Sequence, residues 1–352
     1  MQSKGSIARL AAIFAVCIAL IAYNLYGRLS RPQVQGLTEM QSDTVSVSAE
    51  SREDASESEK TETSSESKTD SSAASGSSEA SSVTAAAPGT VKGKITSKYI
   101  SPYTAKLSYN NVYVKNNAGI SFDIKELLSA SVGFKINKSD EPQVLIMHTH
   151  TTETYMTENT DYYTEAYTSR TRDKEKNMVS VGEIVADKLN KAGIKTLHDT
   201  TEHDYPKYTG SYGRAATTIK SYLKKYPSIK IVLDLHRDAL ASGSDKVKLV
   251  TEINGKKAAQ VMLVMGSQSG SITNHPNWKE NLKLAFKLQQ MLETKYPTLA
   301  RPMTVNSSLY NQNLTTGSML IEFGTDANTL EEAHYSAELV GDALVSLFNT
   351  LT

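Results

Sequence analysis

The sequence predicts an α/β fold in three layers, with helices packed on both faces of a mixed, mostly parallel sheet. Two observations predict it. Short apolar runs, such as Val144–His148 and Ile229–His236, are typical of strands buried on both faces, and they alternate with longer segments of helical periodicity. Several of these runs also end in histidine or glutamate, where open α/β sheets place their ligands.

The N-terminal segment differs from the rest of the chain. Residues 10–27 carry no charge, so we predict a short cytoplasmic N-terminus at 1–9 and a transmembrane anchor at 10–27. A cleaved signal peptide is the alternative, but the bulky residues Tyr23–Tyr26 occupy the place of a small-residue cleavage site. Residues 28–92 are rich in Ser and Glu and predict a disordered tether. A folded domain is then predicted at 93–352, outside the cytoplasm.

Composition narrows the function classes. The chain has 38 basic and 38 acidic residues, so its zero formal charge gives no argument for nucleic acid binding. Cys17 is the only cysteine, which excludes an intramolecular disulfide. A structural zinc site usually needs several cysteines, so any zinc in this chain is expected to be catalytic.

Within the predicted domain, strands and helices alternate after a lead-in with one short helix in 119–128. The predicted strands cover Val144–His148, Ile194–Leu197, Ile229–His236, Lys246–Ile253, Gln260–Met265 and Met319–Phe323. The predicted helices cover Glu175–Ala192, Arg214–Lys225, Trp278–Lys295 and Leu330–Phe348. Asn254-Gly255 predicts the tight turn of a hairpin that pairs Lys246–Ile253 with Gln260–Met265.

His150, His236 and one glutamate are the candidate metal ligands. Catalytic zinc is held by three histidine or carboxylate ligands and keeps one position open. Glu153 follows His150 by three residues, so both side chains can face one ion across a single turn. His148 shares a strand face with His150 only if the strand continues. We therefore expect one of these two histidines to bind directly and His148 to support the ligands from behind.

Glu322 is the candidate general base, because it lies between apolar residues and is costly to bury unless it is paired or functional. It would move a proton from the attacking water to the leaving amine. Arg237 is a possible donor to the oxyanion, although it can also pair with Asp238. The remaining histidines are expected at the surface: His198, His203, His275 and His334.

Several of these motifs together resemble the stage II sporulation protein P family, from Val144 to the C-terminus. The motifs are His148-Thr-His150-Thr-Thr-Glu153, Asp234-Leu-His236-Arg237-Asp238, His275-Pro-Asn-Trp-Lys-Glu-Asn-Leu282, Tyr310–Leu314, Leu320-Ile-Glu-Phe-Gly324 and Asn328–Glu332. The resemblance implies a zinc-dependent N-acetylmuramoyl-L-alanine amidase, with endopeptidase activity, that acts on peptidoglycan during forespore engulfment. It also implies an amidase-like or metallocarboxypeptidase-like fold and work alongside stage II sporulation proteins D and M.

The resemblance leaves two questions open. The wider amidase group takes its glutamate ligand from the first helix after the first histidine strand, which matches Glu175, whereas Glu153 matches the His-x-x-Glu motif of metallocarboxypeptidases. We favour Glu153, because its spacing from His150 needs no assumption about helix docking. A metallo-endopeptidase that cuts cross-link peptides and a non-catalytic wall-binding module remain as alternative functions.

Overall fold

The computed structural model describes residues 89–352. The predicted anchor at 10–27 and nearly all of the predicted tether at 28–92 lie outside the described residues, so both stay predictions. The first described strand begins at Val91, two residues before the predicted start of the domain. Within 89–352, no helix is both long enough and apolar enough to cross a membrane.

The described chain contains thirteen strands and five α-helices. The strands are β1 (Val91–Lys98), β2 (Leu107–Tyr109), β3 (Val112–Asn116), β4 (Val144–Met147), β5 (Tyr162–Thr164), β6 (Thr196–His198), β7 (Ile231–Asp238), β8 (Ala241–Ser242), β9 (Asp245–Ile253), β10 (Lys256–Ala259), β11 (Val261–Gly266), β12 (Met303–Asn306) and β13 (Gly317–Thr325). The helices are α1 (Ile124–Ser129), α2 (Met178–Lys191), α3 (Ser211–Lys225), α4 (Trp278–Lys295) and α5 (Leu330–Asn349).

Eight strands form the main sheet, in the order β2-β3-β12-β11-β13-β7-β4-β6. Five of its seven pairings are parallel, and only β2–β3 and β11–β13 are antiparallel. The centre is β7, which lies between β13 and β4 and is parallel to both. The predicted mixed, mostly parallel sheet is confirmed.

Side chains alternate between the two faces of this sheet, as the pleat requires. In β4, Val144 and Ile146 belong to the large core, whereas Leu145 and Met147 belong to a smaller core on the opposite face. Buried residues of α1, α2, α4 and α5 line the large core, and those of α3 line the smaller one. The three-layer α/β prediction is therefore confirmed, with only α3 on the second face.

A second sheet was not predicted. It has the order β10-β9-β1-β5, with β8 also paired to β9. Asn254 and Gly255 do form a tight turn with positive φ at both residues, 52° and 75°. The predicted partner of that hairpin is wrong, because β9 pairs with β10 and the next strand, β11, enters the main sheet. The alternation of apolar residues is local and does not specify which sheet a strand joins.

The helix predictions differ from the structure mainly at the N-termini. Helix α4 has the predicted bounds. Helix α2 begins at Met178 rather than Glu175, because the Asn177 side chain caps it by accepting a hydrogen bond from Val179 N at 3.0 Å. Helix α5 begins as predicted at Leu330, behind a capping box formed by Thr329 and Glu332.

Candidate metal centre

The candidate centre lies at the carboxyl edge of the main sheet, on the face that α3 covers. In β13, Ile321 and Phe323 belong to the large core, so Glu322 between them points to the opposite face. By the same alternation, Leu235 places the side chain of His236 on that opposite face. His236 and Glu322 are register partners on the neighbouring parallel strands β7 and β13. Their side chains therefore start side by side.

Three of the predicted ligand residues come together here. The side chains of His150, Glu153 and His236 offer one ligand atom each, all within 4.8 Å of one another. Nδ1 of His150 lies 3.5 Å from Oε1 of Glu153, and Nδ1 of His236 lies 3.6 Å from Oε2. All three residues are at most 4% exposed. The Nε2 atoms of both histidines are buried without a hydrogen-bond partner in the described part of the chain.

The charges around this group are balanced by partners behind it. Asp234 accepts hydrogen bonds from Thr149 N at 2.8 Å and Thr149 Oγ1 at 2.6 Å. Its Oδ1 also lies 2.9 Å from Nε2 of His236, although the contact lacks the direction of a hydrogen bond. A carboxylate behind a ligating histidine is the usual support of such a ligand in metal sites.

Burial and neighbouring charges determine the protonation states of the three candidate ligands. Burial lowers the pKa of His236, but Asp234 first and Glu153 second outweigh it and raise the pKa to about 9. Burial raises the pKa of Glu153, but Arg237 and the two histidines hold that pKa well below its usual range. The pKa of His150 is lowered, because burial outweighs the attraction of Glu153. Glu153 is therefore a carboxylate anion at neutral pH, as a metal ligand must be.

Glu322 differs sharply from Glu153. Its side chain is only partly exposed, and its Oε2 is buried without a hydrogen-bond partner in the described chain. Burial first, and the nearby negative charge of Asp238 second, raise the pKa of Glu322 to about 8. Two carboxylates near each other with opposite pKa shifts are a common sign of divided roles in an active site.

Arg237 has contacts that the sequence did not suggest. Its guanidinium lies 3.6 Å from Glu153 and donates hydrogen bonds to the carbonyl oxygens of Thr154, at 3.2 Å, and Ser169, at 2.8 Å. The possible pairing with Asp238 is wrong, since Asp238 pairs with Arg301 at 3.0 Å. Arg237 therefore orients Glu153 from the buried side of the centre.

His148 and His150 diverge, because β4 ends at Met147 and the chain turns. The ring of His148 donates from Nδ1 to the carbonyl oxygen of Leu235 at 2.9 Å, and its Nε2 lies 2.9 Å from Nε2 of His198. Burial, and then His198, lower the pKa of His148 to about 3, so its ring is neutral. It supports the backbone beside His236 rather than any of the three candidate ligands directly.

Glu175 is exposed and lies outside the group of His150, Glu153 and His236. Its backbone N–H donates to Asp173 at 3.1 Å in the turn before α2. Because α2 begins three residues later than predicted, Glu175 belongs to the preceding loop.

The prediction of surface positions is wrong for two histidines. His203 and His275 are 2% and 0% exposed. His203 is held between the carbonyl oxygen of His148, at 2.8 Å, and the hydroxyl of Thr218, at 2.9 Å. His275 has no hydrogen-bond partner at either ring nitrogen within the described residues. His198 and His334 are half-buried. Both buried histidines lie on loops, where the apolar pattern gives no signal of burial.

Sequence reasoning also missed the residues that cover the centre. The ring of Tyr208 lies 4.6 Å from the ring of His150, and the ring of Tyr212 lies 5.6 Å from it. The guanidinium of Arg170 lies 4.5 Å from the Tyr208 ring and 3.9 Å from Glu153. Tyr208 and Arg170 come from loops distant in sequence, so no local pattern could place them at His150.

A buried His–Glu–His group at the carboxyl edge of a mostly parallel sheet defines an α/β protein with a candidate metal site. The family model described as Stage II sporulation protein P matches residues 23–345. The chain belongs to the stage II sporulation protein P family. Stage II sporulation protein P of Bacillus subtilis (strain 168) is 28% identical over 225 residues, which are 61% of this chain and 53% of that protein. The chain thus spans about half the length of this relative.

Solved structures of more distant proteins were also matched. The CwlD amidase from Clostridioides difficile, in complex with the GerS lipoprotein, is 12% identical, with a TM-score of 0.37, over 59% of this chain and 98% of that one. An N-acetylmuramoyl-L-alanine amidase from Clostridium difficile 630 is 17% identical, with a TM-score of 0.34, over 61% of this chain and 100% of that one. A likeness this distant carries no argument about activity.

Proposed function

We propose that this chain is a peptidoglycan hydrolase of sporulation, and specifically a zinc-dependent amidase that cleaves the bond between N-acetylmuramic acid and L-alanine. Family membership supports the role in sporulation and the substrate. The observation that carries the chemistry is the convergence of His150, Glu153 and His236 beside Glu322. In this arrangement, His150, Glu153 and His236 would hold the metal ion, and Glu322 would carry the proton.

The donor set fits zinc. Two imidazoles and one carboxylate are the ligands of many catalytic zinc sites. Here all three are buried, and Nε2 of each histidine has no hydrogen-bond partner in the described chain. Arg237 and Asp234 orient Glu153 and His236 from behind. Zinc held by these three residues would supply a Lewis acid that polarises the scissile carbonyl and acidifies water.

Glu322 is the proposed general base and acid. Its Oε2 has no hydrogen-bond partner in the described chain. With its pKa raised to about 8, Glu322 is largely protonated at neutral pH, and the positive charge of a bound zinc ion would lower that pKa. The resulting carboxylate would take a proton from the attacking water and pass it to the leaving amine. The Arg237 guanidinium contacts Glu153 and the carbonyl oxygens of Thr154 and Ser169. These contacts give no support to Arg237 as a donor to the oxyanion.

The proposal includes where the enzyme works. An anchor at residues 10–27 would hold it at the septal or engulfing membrane, with the catalytic domain outside the cytoplasm. The tether at 28–92 would let the domain reach the wall. Stage II sporulation proteins D and M are the proposed partners at that site, as the family resemblance implies.

The test is to incubate the purified full chain with sacculi and to identify the released fragments by mass spectrometry. An amidase releases stem peptides with a free L-alanine amine and leaves lactyl carboxylates on the glycan. An endopeptidase instead creates new termini within the peptides while the glycan link stays intact. Detection of only the second kind would replace the amidase with the alternative metallo-endopeptidase.

Two controls make this test specific. Chelation followed by zinc addition should abolish and then restore fragment release. The Glu322→Gln variant should bind zinc and the wall but release at least about 100-fold less product, since general acid–base catalysis contributes about 10²- to 10⁴-fold. Full release by Glu322→Gln, or by chelated enzyme, would refute the proposed chemistry.

A further inference from the structure

A cleft of about 550 Å³ is lined in part by the segment that directly follows Glu153. This volume is in the range of small-ligand sites. Ten of its fifteen lining residues are threonine or tyrosine, and only Glu158 and Lys176 are charged. Pockets for drug-like ligands are mostly apolar, so this lining points to a different class of ligand.

The chemistry of the lining favours a neutral molecule with many hydroxyl groups. Each threonine and tyrosine hydroxyl can both donate and accept a hydrogen bond, which matches the hydroxyls of a sugar. Tyrosine rings add flat apolar surfaces with a polar tip, suited to the faces of sugar rings. A charged peptide or a phosphate chain would instead require several compensating charges, and the cleft has one of each sign.

Part of the cleft is rigid. The Tyr163 hydroxyl donates to the carbonyl oxygen of Ser244 at 2.6 Å, and the Tyr167 hydroxyl donates to that of Asp326 at 2.7 Å. Their two rings pack edge to face at 5.8 Å. Fixed rings lose little conformational entropy when a ligand binds, which increases affinity.

Other groups remain available to a ligand. Tyr162, on the edge strand β5, is 40% exposed, and Thr157 is exposed as well. Thr164 is half-buried and also faces the cleft. No hydrogen bond within the described chain engages the hydroxyls of these three side chains, so a bound sugar can satisfy them.

The cleft and the candidate metal centre share a wall. Thr154 and Tyr155 line the cleft and directly follow Glu153 in the chain. The Thr154 carbonyl oxygen accepts from Nε of Arg237 at 3.2 Å, and the Tyr155 hydroxyl donates to the carbonyl oxygen of Phe323 at 2.9 Å. A backbone advances at most about 3.3 to 3.6 Å per residue, so Thr154 and Tyr155 lie within about 7 Å of Glu153 along the chain.

From this lining and this position, we propose that the cleft is a saccharide subsite that binds the glycan chain of the substrate beside the candidate metal centre. The proposal rests on the proposed function for the identity of the saccharide. Tyr162, Thr157 and Thr164 are its ligand-contacting residues. They would hold the glycan, so that the amide bond between N-acetylmuramic acid and L-alanine would lie at the candidate metal centre.

The test measures saccharide binding without hydrolysis. The full chain, purified in detergent and treated with a chelator, is titrated with chitotetraose, a neutral tetramer of N-acetylglucosamine, by isothermal calorimetry. Tyr162→Ala should weaken binding by about tenfold, since stacking on one aromatic ring contributes on that order. Thr157→Val should weaken it by severalfold. Tyr109→Ala is the matched control, because Tyr109 is also a strand residue, is 41% exposed, and does not line the cleft.

Several results would overturn the proposal: no binding by the native chain, unchanged binding by Tyr162→Ala with Thr157→Val, or an equal loss in Tyr109→Ala. Competition by the free stem peptide would show that the cleft takes peptide instead. Failure of the proposed function is distinguishable. If the chain binds saccharide through Tyr162 but does not hydrolyse the wall, the amidase is rejected and the subsite is kept. If it hydrolyses the wall but does not bind saccharide through Tyr162, the subsite is rejected and the amidase is kept.

Discussion

The choice of glutamate ligand gives the sharpest prediction, because the chain offers a matched pair. Glu153 contributes one of three ligand atoms that lie within 4.8 Å of each other, whereas Glu175 is exposed outside that group. Residues that only support a ligand already cost about 10- to 100-fold in metal affinity when changed. Glu153→Gln removes an anionic ligand and the carboxylate that Arg237 contacts, so it should lower zinc affinity by at least about 100-fold. Glu175→Gln should leave it unchanged.

The assay is equilibrium dialysis of the full chain against zinc buffered by a chelator, with bound metal measured by atomic absorption. Circular dichroism must first show that both variants are folded. Glu153→Gln is expected to be less stable, because breaking a buried ion pair commonly costs about 3 to 5 kcal/mol, although the glutamine oxygen can still accept from the Arg237 backbone N–H. Zinc loss in Glu175→Gln with retention in folded Glu153→Gln would refute the assignment.

Three further predictions concern catalysis, pH and packing. Glu322→Gln should keep the fold and the zinc while hydrolysis falls at least about 100-fold; if zinc falls in step with activity, Glu322 is a ligand instead. Burial lowers the pKa of His275 to about 4, so the unfolded chain binds more protons between pH 6.5 and 4, and stability should fall as the pH drops through that window. His275 should account for about 2 kcal/mol of the fall in the free energy of unfolding between pH 7.5 and pH 5, measured by urea unfolding. His275→Gln should remove that share and leave the share of His148, whose pKa is also lowered; an unchanged pH slope in that variant would contradict the assignment. Gly182→Ala should lower the free energy of unfolding by about 1 to 3 kcal/mol, because the new Cβ would lie 2.6 Å from the ring of His198. Gly213→Ala is the control, because nothing lies within 4 Å of the new Cβ, and it should raise the free energy of unfolding by up to about 1 kcal/mol. Equal effects of Gly182→Ala and Gly213→Ala would refute this reasoning.

Much of the fold follows from local pattern. The three-layer α/β architecture was predictable because buried strands and amphipathic helices differ in the spacing of their apolar residues. That spacing can be read from consecutive residues of the sequence. The bounds of α4 and the start of α5 agree with the prediction for the same reason. The second sheet was not predictable, because β1 pairs with β9 across about 150 residues and no local signal specifies that register.

The candidate centre shows the same division. The sequence by itself determined that His150, His236 and Glu322 would meet, because each follows or ends an apolar strand and parallel strands bring their carboxyl ends to one edge. Only the tertiary structure decided that Glu153 lies in the group while Glu175 is exposed, and that Arg237 contacts Glu153 rather than Asp238. These outcomes depend on how loops dock against the sheet, and docking is set by long-range packing that no stretch of neighbouring residues encodes.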